Sequence, residues 1–365
     1  MSTQSIRQLK AMGQSLWLDN ITRAMLNDGT MARYIAEYGL TGLTSNPTIF
    51  DHAIGNSDSY DADIRTRSRA GRSAENLFFE LATDDLTRAA DLFRPAFDAT
   101  NGIDGWVSLE VSPLLAYDAA ATIAMAKELH AAAQRPNLFI KIPGTPEGTK
   151  AIEESVFAGV PINVTLLFST EHYVAAAEAY LRAIERRIEA GLDPRVASVA
   201  SLFISRWDVA ANPQLPENLR NRLGIAVAMQ TYRAYRQLLA SPRWQKLARA
   251  GAPLQRLLWA STGTKDPAAP ATLYIDALAA PDTINTMPDK TLLAFADHGK
   301  VDRALPIDGG DSARVLADCR RAGVDDKALA LRLQREGAEA FNKSWRALLE
   351  RIVSKSSQLA REGAS

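Results

Sequence analysis

Asn137-Leu138-Phe139-Ile140-Lys141-Ile142-Pro143-Gly144 reads as a short apolar strand that carries a lysine near its end and runs directly into a turn. Phe, Ile and Leu suit a buried strand, but an ammonium group there must be desolvated, which favours the neutral amine by lowering its pKa. A neutral amine is a nucleophile that can condense with a sugar carbonyl to give a Schiff base. The plainer reading is an edge-strand lysine whose head reaches water along an apolar stem. The neighbourhood of the segment decides between them.

Outward from this strand, short β-like runs alternate with helix-like stretches in both directions. On the N-terminal side lie Leu16-Trp17-Leu18-Asp19-Asn20, Gly39 to Asn46 and Gly105-Trp106-Val107-Ser108-Leu109-Glu110. On the C-terminal side lie Val160 to Phe168, Val199 to Ile204, Arg256 to Ser261 and Thr283-Ile284-Asn285-Thr286. With the lysine strand this gives roughly eight units, the number that closes a (β/α)8 TIM barrel, and that α/β fold is expected here as one domain over 1–365. An open, doubly wound parallel sheet shares the alternation, yet no Gly-x-Gly-x-x-Gly follows the first strand. No linker rich in Pro, Gly and Ser interrupts the chain, and no repeat of about 20–50 residues exceeds the βα rhythm.

Helix signals fit between the strands. Ser112-Pro113 predicts an N-cap with proline at the first helical position, and 174–190 carries an apolar stripe that stops at Gly191. A helix is expected over 76–97, and the charged, glycine-containing segment 51–75 before it is expected as a surface excursion. From Asp325 to about Arg361 a long helical pattern exceeds what an eighth unit needs. Its Phe341, Trp345 and Leu349, at i, i+4 and i+8, predict a core-packing stripe.

The composition narrows the class of function. With 365 residues, 47% of them hydrophobic, the chain can bury a large core. Lys plus Arg and Asp plus Glu both total 42, so no global field favours nucleic acid or an anionic membrane, and small-molecule partners are expected. The single Cys319 rules out an intramolecular disulfide and suits a reducing compartment. The stretch Met1 to Lys10 lacks an apolar signal core and no later run has the length of a membrane span, so a cytoplasmic protein is expected. His52, His130, His172 and His298 show no i, i+4 pairing, so no metal is expected. Gly144-Thr-Pro-Glu-Gly-Thr-Lys150 is one residue short of a P-loop and contains a proline.

In a barrel the C-terminal strand ends converge on one mouth. Asp19 ends the first strand, Thr44 and Asn46 the second, Glu110 the third, Lys141 the fourth, Asn163 and Thr165 the fifth, Ser201 the sixth and Ser261 the seventh. Several have structural alternatives: Asp19 or Asn20 could cap the next helix, and Asn46-Pro47 is a good cap and first-turn pair. Glu110, between apolar neighbours, needs a partner or a raised pKa. Asn163 and Thr165 share one side of their strand and are expected to project into the mouth, with structural hydrogen bonding open for Thr165. Arg206 and Lys265 lie just beyond strands six and seven, where such barrels often bind phosphate, although each could be a solvated surface charge.

The chain resembles transaldolase, in its longer bacterial form, through Gly42-Leu-Thr-Ser-Asn-Pro-Thr-Ile-Phe50 and Phe139-Ile-Lys-Ile-Pro-Gly-Thr-Pro-Glu-Gly148. Further matches are Pro161-Ile-Asn-Val-Thr-Leu-Leu-Phe168 and Trp259-Ala-Ser-Thr-Gly-Thr-Lys-Asp-Pro267, within a likeness spanning about 15 to 345. The resemblance implies that Lys141 is the Schiff-base lysine for a ketose phosphate in the non-oxidative pentose phosphate pathway, with no cofactor. It implies Asp19 as the acid/base, Glu110 and Thr165 as holders of a water, and Thr44, Asn46, Asn163 and Ser201 as ligands of a retained dihydroxyacetone unit. Arg206 matches the family's phosphate-binding arginine and Phe203 an aromatic wall position. Many transaldolases carry Ser-Phe-Arg after strand seven, whereas this chain has Ser261-Thr262-Gly263, so Lys265 is the expected substitute cation. A fructose 6-phosphate aldolase would share the lysine, but that branch usually has glutamine where Glu110 stands. An inactive sugar-phosphate-binding protein would not need Asp19, Glu110 and Lys141 together. A monomer or homodimer fits either way.

Overall fold

Eight strands run parallel: β1 (Gln14–Leu18), β2 (Gly42–Leu43), β3 (Val107–Glu110), β4 (Leu138–Pro143), β5 (Ile162–Leu167), β6 (Ser198–Phe203), β7 (Gln255–Ala260) and β8 (Thr283–Met287). The structure is a computed structural model that describes residues 4–362, so the 1–365 domain expectation includes six terminal residues outside the described ones. The strand order is β2-β1-β8-β7-β6-β5-β4-β3. Its two edges meet through a bridge between Gly42 and Trp106, with the Leu43 N–H donating to Trp106 O at 3.0 Å and the Gly105 N–H to Thr41 O at 2.8 Å. The sheet is thereby a closed (β/α)8 barrel, with no exposed edge for further pairing.

Two-residue alternation divides the core in two. One face of the strands, including Leu16, Leu18, Leu109, Ile140, Ile142, Ile162, Val164 and Leu202, packs outward in one cluster with the surrounding helices. The other face supplies Trp17, Trp106, Phe139, Val199, Leu258 and Ile284 to a second, interior cluster. Trp106 and Phe139 stack there with centroids 4.0 Å apart. These residues form an apolar floor, and the next inward position along each strand lies one level higher. Asp19 follows Trp17, Lys141 follows Phe139, Ser201 follows Val199 and Thr286 follows Ile284, so the mouth is polar where the floor is not.

Three local expectations are corrected. Segment 51–75 does not form a surface excursion. It holds most of a helix Pro47–Gly55 and a helix Asp61–Arg69, with Ile54, Tyr60 and Ile64 fully buried. Ser112-Pro113 starts only a three-residue 3-10 turn, Pro113–Leu115, without a side-chain cap; the α-helix begins at Ala119, capped by Asp118 accepting from the Ala121 N–H. The second strand, expected over 39–46, pairs as a ladder only at Gly42–Leu43.

The helix Thr170–Glu189 has Ser169 as its cap, accepting from the His172 N–H, and ends before Gly191 at φ +67°. The C-terminal helix Asp326–Glu362 runs beside both helices of 47–69. Trp345 anchors it, with ring centroids 5.0 Å from Phe78 and 5.5 Å from Phe79.

Barrel closure leaves no room at Gly42, where a Cβ would lie 2.5 Å from Trp17 Cε2 and 2.6 Å from Trp106 O. Gly42→Ala is expected to lower unfolding stability by about 1–3 kcal/mol, the range for forcing atoms into a packed core. Urea unfolding followed by tryptophan fluorescence measures it, and an unchanged midpoint would contradict the tight closure.

Candidate active site

Strand register sets the deepest polar level. Glu110 pairs with Lys141 across β3 and β4, and Lys141 with Asn163 across β4 and β5, so the three stand side by side on the inner wall. All three are buried. Lys141 Nζ lies 3.2 Å from Glu110 Oε2 and donates to Ser45 O at 3.1 Å. Asn163 is held on both sides: its Nδ2 donates to Ser108 Oγ at 3.1 Å and its Oδ1 accepts from Ser201 Oγ at 2.7 Å. Glu110 Oε1 and Thr165 Oγ1 are buried and find no hydrogen-bond partner among the described residues.

On the opposite wall Asp19 sits one residue past β1, its N–H donating to Met287 O at 2.8 Å. Thr44 Oγ1 donates to Asp19 Oδ1 at 2.7 Å and lies 2.8 Å from Thr286 Oγ1. Asp19 caps no helix, because Thr22 caps Arg23–Asn27. Asn46 fulfils both of its readings: its Oδ1 accepts from the Ile49 N–H as the cap of Pro47–Gly55, and the residue also lines the mouth. Ser261, at φ +55°, places its Oγ 3.0 Å from Ser205 Oγ.

Ten of the expected residues, Asp19, Thr44, Asn46, Lys141, Thr165, Ser201, Phe203, Arg206, Ser261 and Lys265, line one cavity of about 110 Å³. That is below the roughly 300–1,000 Å³ of pockets that bury a drug-sized ligand. Glu110 and Asn163 do not line it. They stand behind Lys141 and Ser201 and touch the cavity through them.

Charge is concentrated there. Burial pushes the Asp19 carboxyl above the usual carboxylate range, against the pull of Lys141, the Thr44 hydrogen bond, Lys265 and Arg206. Burial pushes Glu110 up as well, with Lys141 pulling it back. The Arg206 guanidinium is pulled down by burial and back up by both carboxyls. It stacks 5.0 Å from the Phe203 ring centroid and makes no hydrogen bond or salt bridge among the described residues, leaving its donor fork available. Lys265 is exposed on the loop after β7.

The sequence reading missed five lining residues, Ala260, Gly263, Thr286, Pro288 and Phe341. Thr286 follows Ile284 on the inward face of β8, and the alternation that found the other strand ends would have found it. Phe341, expected as core, lines the cavity from the C-terminal helix, and its i, i+4 spacing is the same as that of a core residue. A larger cavity of about 610 Å³ lies at the other end of the barrel. Its buried charges, Arg256 and Asp104, lie 3.7 Å apart and are hydrogen-bonded to neutral groups: Arg256 Nη2 donates to Ser15 Oγ and Thr283 O, and Asp104 accepts from Trp17 Nε1. Among the described residues, no group of His, Cys, Asp and Glu is arranged to hold a metal ion, and no helix is long and apolar enough to cross a membrane.

A family model described as transaldolase/fructose-6-phosphate aldolase matches residues 16–352. The chain belongs to this transaldolase/aldolase family. It is similar to the transaldolase of Saccharopolyspora erythraea, 43% identical over 361 residues that cover 96% of this chain and 98% of that one. It is also similar to the transaldolases of Thermobifida fusca, 43% identical over 95% of this chain and 97% of the relative, and Thiobacillus denitrificans, 42% over 95% and 99%. The barrel of this chain carries a buried lysine near two carboxyls in different settings, Glu110 bonded to the lysine and Asp19 to Thr44.

A buried carboxyl with a raised pKa destabilises the fold when it ionises. For Asp19 that penalty is absent below the unfolded value near 3.8 and complete once pH exceeds the folded value. Asp19→Asn, which can still accept from Thr44, is expected to be more stable at pH 8 by roughly 1 kcal/mol, as when a strained functional group is relieved. Melting curves of both proteins from pH 4 to pH 8 test this, with the gap expected to close toward the acid end. A gap independent of pH would show that Asp19 is not desolvated.

Proposed function

We propose that this site carries out the transaldolase reaction by a Schiff base on Lys141, moving a dihydroxyacetone unit between sedoheptulose 7-phosphate with glyceraldehyde 3-phosphate and erythrose 4-phosphate with fructose 6-phosphate. The observation that carries the reading is the Lys141 amine, buried at the cavity wall between Glu110 and the Ser45 carbonyl in a chain of this family. The Lys141 nitrogen attacks C2 of the ketose phosphate, forming a carbinolamine that loses water to give the iminium. Glu110 Oε1 and Thr165 Oγ1, the two unpartnered atoms, hold the water that relays protons through these steps.

Asp19 then takes the proton of the C4 hydroxyl as the C3–C4 bond breaks and its electron pair passes into the iminium, giving an enamine and a free aldehyde phosphate. A carboxyl with a raised pKa holds that proton until the acceptor arrives, when C3 bonds to the new aldehyde carbon and Asp19 protonates its oxygen. Thr44, Asn46 and Ser201 bind the hydroxyls of the retained unit, and Asn163 acts through Ser201 and Ser108. Arg206 binds the phosphate with its fork over Phe203, and Lys265 adds a point charge where Gly263 leaves no cation. We read 1–365 as one domain, acting in the cytoplasm in the non-oxidative pentose phosphate pathway as a monomer or homodimer.

Borohydride reduction in the presence of fructose 6-phosphate, followed by peptide mapping, tests the assignment. The expected adduct is on Lys141, and Lys141→Ala is expected to form none and to lose transfer. Asp19→Ala is expected to keep the adduct while transfer falls by about 10²–10⁴-fold, the usual contribution of a general acid or base. Turnover in Lys141→Ala, or full activity in Asp19→Ala, would refute the respective role.

A further inference from the structure

The mouth of the barrel is roofed by one side of the C-terminal helix. Gln334, Gly337 and Phe341 are spaced by three and four residues and so share a face. Gln334 is buried, and its Nε2 donates to Gly144 O at 2.9 Å and Leu166 O at 3.0 Å, at the ends of β4 and β5. One turn on, the helix comes close enough that a Cβ at Gly337 would lie 3.0 Å from Leu166 Cδ2 and 3.1 Å from Arg206 Nη1. Another turn brings the Phe341 ring centroid 5.6 Å from Lys141 Nζ and 5.8 Å from Arg206 Cζ. Beyond it the helix is tied down by Thr48 to Ser344 at 2.8 Å and Lys355 to Asp61 at 2.6 Å.

An aromatic ring held over a lysine has no proton to give. What it supplies is cover. In the Schiff-base reading above, on which this inference rests, the enamine left after the first aldehyde departs can be used in two ways. When an aldehyde meets C3, a new carbon–carbon bond forms and transfer is complete. When solvent meets C3, the carbon takes a proton from water, and Asp19 returns its own proton to the hydroxide left behind. The iminium is then hydrolysed at C2 by the same held water that releases product, freeing dihydroxyacetone and the Lys141 amine.

We propose that Phe341 is a specificity-determining residue that covers the lysine-bound three-carbon unit, withholding solvent from C3 so that the unit passes to an aldehyde. The apolar ring closes the cavity on the side the barrel cannot reach, because strand residues supply only its floor and walls. Excluding water in this way protects a reactive intermediate from side reactions.

The test measures two rates in the same preparations: dihydroxyacetone release from fructose 6-phosphate alone, and transfer to erythrose 4-phosphate. Phe341→Ala is expected to raise the ratio of release to transfer roughly tenfold, and Phe341→Leu, which keeps an apolar cover, by no more than about threefold. The borohydride adduct is expected on Lys141 in every variant. Should the alanine variant not fold, Gly337→Ala, whose methyl presses on Leu166 and Arg206, is expected to raise the ratio in the same direction. An unchanged ratio with the adduct intact, both rates falling together, would reduce Phe341 to packing and overturn the proposal alone. No adduct in the unsubstituted enzyme would overturn the Schiff-base reading and this inference with it.

Discussion

Lys141 and Glu110, 3.2 Å apart on the inner wall of the barrel, are the contact to which the rest of the site answers. Two ionisable groups taken out of water lose several kcal/mol of hydration each, and their attraction offsets this only when the remaining donors and acceptors are also engaged. Here they are engaged in part. The lysine also donates to Ser45 O, while the second carboxylate oxygen of Glu110 has no partner among the described residues. A pair in a fold selected only for stability would be replaceable by apolar side chains of similar volume. Its presence on this wall, with Glu110 Oε1 and Thr165 Oγ1 both buried without a partner among the described residues, is what a site that handles water and protons requires.

The barrel makes that arrangement possible by separating depth from face. Inward positions low on the strands carry Trp17, Trp106, Phe139, Leu258 and Ile284, which seal the interior from the other end. The next inward positions carry the polar residues, so Glu110, Lys141, Thr165 and Ser201 stand on strands, and Asp19 and Thr44 one residue past theirs, above a packed floor. The ordering also explains why the larger cavity at the opposite end is chemically quiet. There Arg256 and Asp104 pair at 3.7 Å and are hydrogen-bonded to Thr283 O and Trp17 Nε1 at the bottom of the barrel.

Much of this was legible in the sequence, because alternation within a strand names the face on which a residue lies. Lys141, Asp19, Thr44, Thr165 and Ser201 could be assigned to one mouth without a structure. Depth was less legible. Asn163 and Thr165 share a face, yet only Thr165 borders the cavity, since Asn163 stands at the level of Lys141 where Ser108 and Ser201 enclose it. Segment 51–75 misled through composition: its many Asp and Arg residues cover the outer side of helices whose few apolar residues, Ile54, Tyr60 and Ile64, are wholly buried. Phe341 could not be told from core because an aromatic residue spaced by four from Trp345 packs inward on any helix. Only the path of that helix across the mouth gives the ring a different neighbour.

The two carboxyls show how one environment yields two chemistries. Burial raises both, so neither difference in depth nor in residue type separates Asp19 from Glu110. What separates them is the partner. In the mechanism we propose, Glu110 bonds directly to the lysine nitrogen and so acts locally at C2, beside the charge of the iminium stage and the water that relays protons. Asp19 bonds to a neutral hydroxyl, Thr44, which orients the carboxyl without fixing its charge. In the mechanism we propose, it takes up and releases a proton as the carbon–carbon bond breaks and forms. Lysine bonds to both carboxyls would pull both toward the ionised form and work against a proton cycling on either. In that mechanism the asymmetry between Thr44 and Lys141 as partners matters as much as the carboxyls themselves.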